Sequence, residues 1–200
     1  VTLNGAFFAN PYQTVSFLGG GSFHGLSVAV SSAAFLTSAT VHVLTDALAG
    51  STIAVAGGAT LRVDDFHVGG SSGAAHRLAS MSPGVPWFLN VVAVSSVSRT
   101  MVSDCDASVG LTVNADDGTN VDAGGNVNWD FTPQLILILP GETFTPGVSP
   151  GKTGIPEIST AGVAISVSVQ AVSSRFEPVT TAIATVTLIS DDGGATIDSP

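Results

Sequence analysis

The chain has 200 residues, a formal net charge of −10, 44% hydrophobic residues and only 10% charged ones. That length accommodates one large β-sandwich or two small ones. Five basic residues in no cluster give a phosphate backbone no electrostatic partner, so no direct nucleic-acid binding is expected. The mean hydropathy is high at +0.48. Even so, the longest notable apolar run, Leu135 to Leu139, falls far short of the ~18–20 residues of a membrane span.

The first residue is Val1, with neither a Met nor a signal-like segment after it, which suits a processed product or an excised piece. Charge is divided unevenly. Residues 1–100 balance Asp46, Asp64 and Asp65 against Arg62, Arg77 and Arg99, so the whole excess lies in residues 101–200.

Taken in chain order, the apolar residues alternate with a period of two, and helical periodicity is nearly absent. Strands are expected over 12–18, 39–45, 51–56, 59–68, 86–94, 97–103, 134–139 and 179–190. Three further strands are marked by alternation at Leu26/Val28/Val30, Val109/Leu111/Val113 and Val163/Ile165/Val167/Val169. Their intervening residues are Ser, Thr, Ala and Gly in place of the Lys, Glu and Arg of an ordinary solvated sheet, a composition that suits packing against neighbouring subunits. Gly57-Gly58 reads as a two-residue hairpin loop, and Asp116-Asp117-Gly118 and Asp191-Asp192-Gly193 read as Asx turns. Long loops are expected at 19–22, 69–86 and 140–156, and helix at most as a turn near 71–80. The fold expected is all-β: an antiparallel β-sandwich, jelly-roll-like, with long loops and little helix. It is read as a single domain over 1–200, the alternative being two small sandwiches divided near 100–108.

Little in the sequence carries chemistry. Cys105 is the single cysteine, so it forms no intrachain disulfide, and with Asp104 and Asp106 beside it the thiol is read as inert. Gly69-Gly70-Ser71-Ser72-Gly73 has the letters of a nucleophile elbow without the following helix that lifts the serine. The stretch from Gly147 to Thr153 has three residues between its glycines where a phosphate loop needs four, and is read as a flexible loop with an exposed lysine. His24, His42, His67 and His76 show no metal-ligand spacing; Asp64-Asp65 near His67 would allow a pH-sensitive contact, but a satisfied surface or core histidine is the preferred reading. No N-x-[ST] sequon is present.

One constellation stands out, the Asp/Asn-rich stretch from Asn114 to Asp130. Asp116, Asp117 and Asp122 there are the candidate ligands for calcium, a cation that takes six to eight hard oxygens; no other cofactor is indicated. Against this stands the plainer reading of a polar hairpin tip, since the EF-hand spacing is not met. The function expected is therefore structural and not enzymatic. First comes a self-assembling subunit, a viral capsid or virion shell protein whose partners are copies of itself and related subunits. The alternatives are an extracellular pilus, fibre or surface-layer subunit linked by a donated strand from 1–9 or 179–190, and a carbohydrate-binding or adhesin module using Trp87, Trp129 or Tyr12.

Overall fold

The computed structural model describes residues 2–3, 6–8, 14–28, 32–69, 74–183, 185–191 and 193–197. Among them there is no helix, and the strands follow one another as β1 (Thr2–Leu3), β2 (Ala6–Phe8), β3 (Thr14–Phe17), β4 (Ser22–Val28), β5 (Ser32–Phe35), β6 (Ala39–Asp46) and β7 (Thr52–Val55). Next come β8 (Thr60–Val68), β9 (His76–Ser80), β10 (Trp87–Val97), β11 (Thr100–Val102), β12 (Cys105–Asp106), β13 (Val113–Asn114), β14 (Val121–Asp122) and β15 (Trp129–Asp130). The last are β16 (Gln134–Ile138), β17 (Glu142–Phe144), β18 (Lys152–Gly154) and β19 (Ser168–Val172).

Two sheets carry the fold. One runs β1-β4-β6-β8-β10-β12 with β2 also on β4, and the other runs β14-β11-β9-β7-β5-β3. Every pairing in both sheets is parallel. The chain therefore winds as a β-solenoid, each coil laying one strand on each sheet. The expected antiparallel, jelly-roll-like sandwich is incorrect. Alternation reports which face of a strand is buried; it carries no information about the direction of the neighbouring strand. The Gly57-Gly58 turn illustrates the point: it joins β7 of one sheet to β8 of the other, so it is a corner of the coil and not a hairpin. Parallel neighbours need a long return path, and here the strand in the opposite sheet supplies it.

Inside the coils, equivalent positions stack into apolar rows. Phe23, Val41, Val63 and Val91 form one row, and Leu26, Leu44 and Phe66 form a second. Ala33, Ile53, Leu78 and Val102 form their counterpart from the other sheet. All of these are buried in one continuous core, each larger side chain contributing roughly 1.5–3 kcal/mol relative to exposure. Outside, the rows are polar and mostly short, broken by Arg62 and His67, as in Ser22-Thr40-Arg62-Asn90 and Ser27-Thr45-His67-Ser96. Gly110 shows how closely the coils approach. A Cβ there would lie 2.5 Å from the backbone nitrogen of Val91 and 2.7 Å from its oxygen.

Beyond Asp130 the parallel winding ceases. The antiparallel strand pairs, among the described residues, are β16–β19 and β17–β18. This segment leans on the last coils: Ser174 N–H donates to Asp116 Oδ2 at 2.6 Å, Arg175 Nη2 to the Ser95 carbonyl at 2.8 Å, and Thr181 Oγ1 to the Gly118 carbonyl at 2.9 Å. Three strand expectations are corrected: 163–169, the clearest alternation in the sequence, survives only as its end in β19, 109–113 only as β13, and 179–190 is not strand in its described residues. The alternating side chains there face solvent, with Ile183 and Ile189 almost wholly exposed. A strand needs a run of ladder bonds to a neighbour, and these stretches make only isolated ones, such as Leu111 N–H to the Val91 carbonyl and Val179 N–H to the Ala171 carbonyl. The turn of helix expected near 71–80 is β9 from His76 onward, and 71–73 lie outside the described residues.

Candidate functional site

The polar residues fall into three groups, set by where the coils place them. The first is buried. Val28, Asp46, Val68 and Val97 form an inward row, so Asp46 occupies a position held by valine in the other coils. Its carboxylate is satisfied locally: Ser51 Oγ lies 2.5 Å from Oδ2, and Leu48 N–H donates to Oδ1 at 3.2 Å. On the other side Ser51 Oγ is 2.8 Å from His76 Nδ1. A carboxylate can only accept, so the Ser51 hydroxyl proton points to Asp46, and His76 donates through Nδ1–H to Ser51. His76 Nε2 is left buried without a hydrogen-bond partner.

A serine, a histidine and an aspartate in one cluster invite comparison with a hydrolytic triad, and the geometry rejects it. In a triad the histidine stands between the other two, using one nitrogen for each. Here the serine stands between, and all three side chains are at most 1% exposed. No substrate reaches them. The cluster holds the corner between β6 and β7 to the next coil. Sequence reasoning missed it because 46, 51 and 76 become neighbours only through the coil.

The second group is the Asp/Asn-rich stretch. The calcium candidates Asp116, Asp117 and Asp122 each bind elsewhere. Asp116 is buried and accepts from Ser174 N–H and, at 3.3 Å, from its hydroxyl. Asp117 accepts from Thr119 N–H and from Asn120 Nδ2, and Asp122 from Gly124 N–H and Asn126 Nδ2. Three His, Cys, Asp or Glu side chains nowhere converge as a metal-binding set among the described residues. The asparagines do something else here: they substitute for backbone. Asn120 accepts from Thr100 N–H and donates to the Val97 carbonyl, and Asn126 accepts from Cys105 N–H and donates to the Val102 carbonyl. Each amide thus closes a gap in the ladder where one coil turns beneath the next.

The third group is on the outer corner of the first sheet. His24 and His42 lie on adjacent strands between the paired positions Phe23–Val41 and Gly25–Val43. Their ring centroids are 5.5 Å apart. On the next strand Asp64 reaches back to His42, with Oδ2 2.5 Å from Nδ1, and Arg62 Nη1 lies 2.7 Å from Oδ1. The second contact is a close ion pair without hydrogen-bond alignment, since Oδ1 has no hydrogen-bond partner. The His42 bond, followed by the guanidinium, holds the Asp64 carboxyl below the usual carboxylate range despite the opposing desolvation. The carboxylate expected beside His67 is therefore engaged with His42 on the preceding coil. Next to this corner a shallow groove of about 370 Å³ runs between Gly20-Gly21 and the side chains of Thr40, Thr60 and Arg62.

The remaining candidates have simple fates. Cys105 is fully buried, and that burial pushes its thiol far up, with Asp106 adding to it and the Trp129 indole opposing. Lys152 is not free: its Nζ is 2.9 Å from Glu142 Oε2 and 3.0 Å from the Leu137 carbonyl. Trp87 is buried, and Trp129 is half-buried with one side packed against the core. Tyr12 and the Gly70–Gly73 part of the elbow-like run lie outside the described residues. No helix among the described residues is long and apolar enough to cross a membrane.

Comparison with protein-family models, with curated proteins and with solved structures found no match to this chain. Its reading rests on its own geometry. The capsid expectation drew part of its support from the jelly roll, and the parallel solenoid removes that support.

Proposed function

We propose that the chain is a structural element, a stiff β-solenoid segment of an extracellular fibre or surface-layer assembly. The observation that carries this reading is the in-register parallel stack of both sheets around one continuous apolar core. Such a stack grows along one axis, each coil touching only its neighbours, and yields a rod. Two further features support it. The outer rows hold short, mostly uncharged side chains, which pack closely against a neighbouring protein surface. The segment after Asp130 exposes Leu135, Ile155, Ile158, Val163, Ile183 and Ile189, a concentration of apolar surface that marks contact with other protein.

Electron microscopy of the purified chain over a range of concentrations tests this. Filaments or ordered layers are the expected result. Discrete monomers at every concentration, together with binding on a glycan array, would overturn it in favour of a carbohydrate-binding module.

A further inference from the structure

The pair of histidines on the outer corner goes beyond a structural reading and does not depend on it. On three successive strands the in/out alternation is interrupted at the same point, where two successive residues are partly or fully exposed: His24-Gly25 on β4, His42-Val43 on β6 and Asp64-Asp65 on β8. The parallel register stacks these interruptions, which sets His24 directly beside His42 and His42 directly beside Asp64. We propose that His24 and His42 together bind a divalent transition-metal ion, of the zinc, nickel or copper(II) class, on this corner.

Three observations converge on it. The first is distance. A metal–nitrogen bond of about 2.0–2.1 Å, extended by about 1.1 Å to the ring centre, puts two imidazole centroids about 5.2 Å apart at a tetrahedral angle. The observed separation is 5.5 Å. The second is orientation. Metal-binding histidines commonly give their other ring nitrogen to a carboxylate, and His42 has Nδ1 on Asp64, which directs Nε2 away from the strand below. Asp64 is thus a positioning residue, fixed in turn by Arg62. The third is charge and space. Asp64 and Asp65 outweigh Arg62 at the corner, and a Cβ built on Gly25 meets nothing within 4 Å, so the approach beside His24 is open. No third protein ligand joins them among the described residues, so water completes the coordination shell. Imidazole selects this class of metal over calcium or magnesium, which take oxygen.

The test uses the whole chain without an affinity tag, stripped with chelator and titrated calorimetrically with zinc chloride, then with copper(II) followed by electron paramagnetic resonance. Expected are one equivalent of zinc and a copper spectrum showing two nitrogen ligands. His24→Ala and His42→Gln each weaken binding at least tenfold, and the glutamine retains an amide for Asp64, so the corner itself is kept. Asp64→Asn weakens binding about tenfold, as loss of a histidine's carboxylate partner does. His67→Ala, on the same sheet but in a different outer row, leaves it unchanged. Circular dichroism confirms the fold of each variant. Wild-type binding no tighter than that of His24→Ala/His42→Gln, or an equal loss in His67→Ala, would overturn the assignment.

Discussion

Asp46 is the residue whose neighbourhood says most about how this core tolerates polarity. Placed among Val28, Val68 and Val97, it needs every acceptor position met, and Ser51, Leu48 and the corner they form supply the partners. Asp46→Ala would strand the Ser51 hydroxyl proton and the Leu48 N–H, while the His76 bond to Ser51 Oγ stays. At about 1–3 kcal/mol for each buried group left unsatisfied, offset in part by relaxation, a total near 3 kcal/mol is expected. Urea unfolding of the two proteins measures it; a difference below about 0.5 kcal/mol, the range of an ordinary surface substitution, would contradict the buried network.

Among the elements, the β17–β18 hairpin is the one with a legible pH dependence. Glu142 accepts from Leu139 N–H at 2.9 Å, and its Oε2 meets Lys152 Nζ across the hairpin. These bonds, the backbone one first, hold its carboxyl below the ordinary glutamate value. A depressed native value means stability that is complete above the unfolded value and is lost as the pH falls through the native one. The advantage of the wild type over Glu142→Gln is therefore full at neutral pH. It shrinks once the pH drops below the ordinary glutamate range and vanishes in stronger acid. Thermal midpoints of both proteins across that range check it, and a gap that widens on acidification would refute the sign.

Strand positions were mostly legible in the sequence: β6, β7, β8 and β16 match the expected stretches to within one residue and β10 and β11 to within three, because a half-buried strand writes its own period. What failed was 179–190, with most of 109–113 and 163–169, where the alternation is present but no continuous strand forms in the described residues. The asparagine bonds of Asn120 and Asn126 were also hidden, since turn composition alone does not say which backbone groups a side chain will meet.

For the whole molecule, the solenoid implies stability that is local and additive along one axis. Phe66 sits at the middle of the stack, between Leu44 on β6 and Ser95 on β10. Phe66→Ala is expected to cost about 3–5 kcal/mol. Hydrogen exchange should show protection falling in β6, β8 and β10 while the β16–β19 pair keeps its own. Uniform loss across all of these would mean that the coils and the terminal segment unfold as one unit.

By itself the sequence determined the all-β class, most of the strands and the inward residues of the solenoid strands, because burial of one face is encoded in each strand locally. It also determined the lack of a basic surface, which is a matter of counting charges. The tertiary structure alone decided that the strands run parallel and wind into coils. Successive coils are offset by anything from roughly 18 residues (Ser22 to Thr40) to roughly 28 (Thr60 to Phe88), and so uneven a spacing hides the repeat that would have announced a solenoid. The same winding decided which distant residues meet. Asp46 with Ser51 and His76, and His24 with His42 and Asp64, are neighbours only because one coil is laid in register upon the next.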